Sequence, residues 1–97
     1  MATKPSIILM DLRTIIMTRE DKKYYNSISD DDPTVIDIMN SFKTYPDLIH
    51  PIGVERGSNM QIFGFKRRKA WELAEMGNMI STNLIKVGDP HLFQIIR

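Results

Sequence analysis

The stretch GFKRRKA, residues 64–70, decides how this chain is read. It follows MQIFGF (60–65), a β-rich run, and leads into AWELAEMG (70–77). There Ala70, Leu73, Ala74 and Gly77 fall on one narrow helical face, with Trp71 beside it. The sequence predicts a strand-to-helix corner, with Gly64 at the turn and the helix opening near Lys66. Lys66, Arg67, Arg68 and Lys69 then lie in the first turn of a helix, whose backbone dipole already presents about half a positive charge. Each added cation costs about 0.3–1 kcal/mol there. An external anion relieves the conflict, because free amides, dipole and side chains converge on it. Gly64, without a side chain, lets the backbone approach such a ligand closely. The plain alternative is a solvated charged turn partnered by Glu72 and Glu75, with Arg68 and Glu72 spaced for a surface ion pair. The GxxxxGK[ST] phosphate loop is absent.

Outward from the corner, the sequence Arg56-Gly57-Ser58-Asn59 is turn chemistry between two strand-like runs, 49–55 and 60–65, which predicts a hairpin. Pro51 suits an edge strand or a late start. Before the hairpin, Asp31 or Asp32 caps a helix with Pro33 at its first position. Val35, Ile38, Met39 and Phe42 form its apolar face, and Tyr45-Pro46 ends it. Residues 6–10 (SIILM) read as a strand, and 12–17 as a continuation or a crossing after a bend. Residues 18–31 are polar and aperiodic and read as a loop. After Gly77-Asn78, residues 79–87 contain a last strand. Asp89-Pro90 opens a third helix that has barely begun at Arg97, so the sequence reads as a piece of a longer protein. The order is β(β)-α-β-β-α-β-α. Strands and helices mix without βαβ alternation, so the expected class is α+β, with a small mixed sheet of about four strands and two to three packed helices.

The bulk composition excludes several functions. With 97 residues the chain, 1–97, is one domain or a piece of one. It has no cysteine, which removes disulfides, thiolate metal sites and cysteine nucleophiles. No apolar run approaches the roughly 18 residues of a membrane span, and the N-terminus is interrupted too early by Asp11 and Arg13 for a secretory signal. A cytoplasmic protein with no membrane partner is expected. Net charge is only +1, but residues 1–50 carry six Lys/Arg against eight Asp/Glu, and residues 51–97 carry seven against four. Positive charge is a local patch. His50 and His91 lack further ligands at metal-binding spacing, so no metal site is assigned. The serines have no evident base partner, so no catalytic residue is assigned. Asp30, Asp31 and Asp32 read as a polar loop with a helix cap. Tyr24, Tyr25 and Trp71 could stack on a base, though packing is the simpler role for Trp71.

The run PIGVERGSNMQIFGFKRRKAWELAEMGNMISTNLIKV (51–87) resembles the N-terminal domain of ParB-type chromosome and plasmid partition proteins. His50-Pro51-Ile52-Gly53-Val54 resembles the family's first strand of the pair. Gln61-Ile62-Phe63-Gly64 followed by Lys66, Arg67 and Ala70 resembles its Gly-Glu-Arg-Arg-x-x-Ala corner, and Ser41-Phe42-Lys43 resembles the end of its preceding helix. The likeness extends from about Ile7 to Val87. It implies a ParB/sulfiredoxin-like fold, CTP with Mg²⁺ as nucleotide, DNA bound mainly through a region beyond Arg97, a ParA-type ATPase partner, and self-association into dimers or higher oligomers. By position, Gly64, Lys66 and Arg67 match the family's triphosphate-binding residues. Arg68, which stands where the family has an aromatic or apolar residue, is an extra charge; with Lys69 it completes the candidate phosphate-binding set, and Arg19 is an additional candidate where the family has an arginine. Phe65 stands where the family has a glutamate tied to hydrolysis, which points to binding rather than CTP turnover. The family's second phosphate motif has no good match in Gln94-Ile95-Ile96-Arg97. A sulfiredoxin-type reductase needs a cysteine at this corner, and there is none.

Two other functions stay open on the residues alone. The corner could contact DNA phosphates directly without a nucleotide. The fold could also carry an enzyme such as a kinase or nuclease.

Overall fold

A computed structural model describes residues 7–44, 50–77, 80 and 84–88. The elements are β1 (Ile7–Asp11), a 3₁₀ turn (Leu12–Thr14), α1 (Arg19–Ser27), α2 (Pro33–Ser41), β2 (Ile52–Val54), β3 (Gln61–Phe63), α3 (Phe65–Met76) and β4 (Leu84–Gly88). The class is α+β, with a mixed four-stranded sheet in the order β1-β4-β2-β3. β1 runs antiparallel to β4, pairing Ile7 with Gly88 and Asp11 with Leu84. β2 runs antiparallel to β3 and parallel to β4. The parallel pair needs a long crossover, and β3 with α3 supplies it.

The hairpin forms as its turn residues dictate. Gly57 and Asn59 take positive φ, 93° and 60°, a region open to glycine and tolerated by asparagine. Its strands are shorter than the sequence suggests, and their register shifts between Gly53 and Val54. Gly53 is required by packing: a Cβ there would lie 2.1 Å from the Phe63 ring, which fills the space over the strand.

α2 starts as its sequence predicts. Asp32 Oδ1 accepts hydrogen bonds from the amides of Thr34 (2.9 Å) and Val35 (3.2 Å), and Pro33 follows in the first turn. The stretch 18–31 is not a loop throughout. Residues Arg19–Ser27 form α1, capped by Thr18 Oγ1 accepting from the Asp21 amide at 3.0 Å. Only Tyr25 of this helix is buried, so no apolar period announces it in the sequence. Residues 12–17 do not extend β1. They turn at Leu12–Thr14 and cross to β3, where Ile16 bridges Met60. The stop at Tyr45-Pro46 and the third helix after Asp89 lie outside the described residues.

One core joins sheet and helices. Ile52, Val54, Ile85 and Val87 of the sheet are buried with Val35 of α2, Tyr25 of α1 and Ala70, Trp71 and Ala74 of α3. The two alanines let α2 approach α3 closely, and Phe42 meets Trp71 edge-on at 5.3 Å. Of the helical face expected for residues 70–77, Leu73 is half-buried and Gly77 is exposed. No described helix is long and apolar enough to cross a membrane.

Candidate anion-binding site

The corner between β3 and α3 turns on Gly64. Its φ of 89° and ψ of 29° are left-handed, and a Cβ would sit 2.8 Å from Ile52 Cγ2. Only glycine meets both demands. As the residue preceding α3, Gly64 gives the helix no side-chain cap. The first amides of α3 therefore lack the side-chain acceptor that a capping residue would supply. This corner borders a cleft of about 400 Å³ lined by Gly64, Phe65, Lys66 and Arg67 together with Tyr24, Thr34, Ile38 and Ile62. Tyr24 and Phe65 pack edge-to-face, with ring centroids 6.0 Å apart. The cleft thus combines a cationic end with aromatic and aliphatic walls.

The four consecutive cations go four separate ways. Lys66 Nζ pairs with Asp32 Oδ2 at 3.1 Å and stays partly exposed. The hydrogen bond from Lys66, with those from the Val35 and Thr34 amides, holds the Asp32 carboxyl below its ordinary pKa, against the raising effect of burial. Arg67 donates from Nη1 to the Pro51 carbonyl at 3.2 Å. A guanidinium has five N–H donors, so one such bond leaves capacity for a ligand.

Arg68 corrects the expectation of a surface ion pair. It is 8% exposed. Its Nη1 donates to the Ile15 carbonyl and to Gln61 Oε1, both at 3.1 Å, and its Nε donates to Glu72 Oε1 at 3.1 Å. Glu72 Oε2 in turn accepts from the Tyr25 hydroxyl at 2.6 Å. Burial, reinforced by that hydrogen bond, pushes the Tyr25 phenol well above its ordinary pKa. Lys69 Nζ reaches Asp30 Oδ1 at 3.7 Å and lies 4.9 Å from the Tyr25 ring centroid. The structure therefore brings Gly64, Lys66 and Arg67 to the cleft, while Arg68 turns into the interior and Lys69 toward Asp30 and the Tyr25 ring. Arg19 is exposed in the first turn of α1 and does not line the cleft.

Sequence reasoning did not foresee Asp32 as a partner of the corner, because 34 residues separate it from Lys66. The i,i+4 pairing of Arg68 with Glu72 was foreseen, but its burial, with Tyr25 and Gln61 completing the network, was not. The one usable signal was the adjacent pair Tyr24-Tyr25: the first, half-exposed, lines the cleft and the second, buried, closes the network around Glu72.

A second hollow, of about 410 Å³, is lined by Leu12, Arg13, Arg68, Glu72, Glu75 and Met76. Its two arginines face two glutamates, so it offers no net attraction to an anion. Among the described residues, no three His, Asp or Glu side chains gather as a metal ligand set.

No family model, curated protein or solved structure significantly matches this chain.

Proposed function

We propose that this chain is a phosphate- or nucleotide-binding module, with the ligand's phosphate seated against Gly64, Lys66 and Arg67. One observation carries it: α3 begins without a side-chain cap at a cleft that also presents two cations and an aromatic wall. An anion there would gain from the free amides, the helix dipole and both side chains. The apolar wall of Tyr24, Phe65 and Ile38 suits a flat base, which favours a nucleotide such as CTP over inorganic phosphate. Mg²⁺ would arrive on the phosphates, since the described residues gather no ligand set of their own.

The wider role follows the residue resemblance of the Gly64-to-Ala70 corner and its flanking strands. In that role the chain is a ParB-like, ParB/sulfiredoxin-fold module of a DNA partition protein. It binds nucleotide without turning it over, self-associates, assembles on DNA and meets a ParA-type ATPase.

Isothermal titration calorimetry of the full chain with CTP, other nucleoside triphosphates and inorganic phosphate tests the site. Arg67→Ala should weaken binding about tenfold or more, as expected for loss of a charge-assisted contact. Lys69→Ala should leave affinity within about twofold, because its ammonium points to Asp30 and Tyr25. Absence of binding to every one of these ligands refutes the proposal.

A further inference from the structure

We propose that the Asp32 carboxylate is a built-in competitor for the anion at this corner, and that it sets the affinity of the site by occupying Lys66. The proposal rests on the anion-site reading above and assigns a role to a residue outside α3.

Asp32 is held from two sides. Oδ1 accepts from the Thr34 and Val35 amides at the start of α2, and Oδ2 takes Lys66 Nζ at 3.1 Å. The capping bonds fix the carboxylate, so it cannot swing away as a free surface side chain can. Of its three partners, Thr34 and Lys66 line the cleft and Val35 does not. A fixed negative charge therefore stands beside the place where a phosphate would bind.

The charge conflict read from Lys66–Lys69 is real, and the chain already answers part of it with its own anion. An incoming phosphate must share the Lys66 ammonium with Asp32, and it meets the repulsion of that carboxylate. At a partly exposed site, one fixed like charge changes affinity by roughly three- to tenfold. Asp30 is the internal contrast. It is 75% exposed, stands 3.7 Å from Lys69, and its partner lies outside the cleft.

The test is calorimetry with CTP and with inorganic phosphate on the full chain and on Asp32→Asn and Asp30→Asn. Asparagine caps a helix as well as aspartate does, so Asp32→Asn removes the charge and keeps the start of α2. It should bind about three- to tenfold more tightly than the unmodified chain, and Asp30→Asn should stay within about twofold. Thermal melting followed by circular dichroism checks that each variant is folded. Should Asp32→Asn prove poorly folded, Asp32→Ser, which caps through a hydroxyl, must shift affinity in the same direction. Unchanged or weaker binding by the charge-neutral variants, with the unmodified chain binding normally, overturns the proposal and leaves the site intact. Binding by neither the unmodified chain nor Asp32→Asn overturns the anion site itself.

Discussion

Replacing Arg68 by alanine should destabilise the fold without any direct effect on ligand contacts. The change orphans the Ile15 carbonyl and Gln61 Oε1, each of which loses a 3.1 Å hydrogen bond. Ile15 is 3% exposed and Gln61 is fully buried, so water does not readily replace the lost donor. A buried acceptor left without a partner costs about 1–2 kcal/mol, which gives about 2–4 kcal/mol for the two. The ion pair to Glu72 adds less than about 1 kcal/mol, since that carboxylate is 36% exposed and keeps its bond from Tyr25. The expected loss is about 2–5 kcal/mol, out of the 5–15 kcal/mol typical of a domain. The assay is urea unfolding followed by the fluorescence of Trp71, the one tryptophan, which is 2% exposed in the core. Arg68→Met should recover the packing of the stem but not the polar losses, and should remain about 2 kcal/mol or more below the unmodified chain. A loss under 1 kcal/mol in both variants would show that these bonds contribute little. A clear loss of CTP affinity in a stably folded Arg68→Met would return Arg68 to the ligand site.

Two further outcomes follow from single residues. Gly64→Ala should cost about 2–3 kcal/mol, from a left-handed backbone and a Cβ that meets Ile52 at 2.8 Å, part of it rigid main chain; an unchanged melting temperature would contradict the corner geometry. Tyr25 has a raised pKa in the folded state, so its contribution is fully present below the ordinary phenol value of about 10 and is lost as pH rises above it. Stability measured by urea unfolding should therefore fall above about pH 10, and Tyr25→Phe should flatten that fall; an equally steep fall in Tyr25→Phe would refute this.

Local signals were legible where local chemistry decides structure. Asp32 and Pro33 announce the start of α2, Gly57 and Asn59 announce the hairpin turn, and Gly64 before a run of helix formers announces the corner. α1 was not legible, because one buried tyrosine in nine residues leaves no periodic face. The charge at residues 66–69 was legible as a conflict but not in its resolution. Adjacent residues on a helix point in different directions, so four neighbouring cations reach Asp32, the Pro51 carbonyl, the Glu72 network and Asp30 separately.

By itself the sequence determined that a glycine corner would place positive charge at a helix start, since backbone conformation and dipole are properties of a few consecutive residues. Only the tertiary structure decided which cations remain at the cleft. Packing α2 and α1 against α3 brings the start of α2 beside Lys66 and draws Arg68 into the interior. The partners that neutralise a charge are chosen by proximity in space, and residues 32 and 66 become neighbours only once the core has formed.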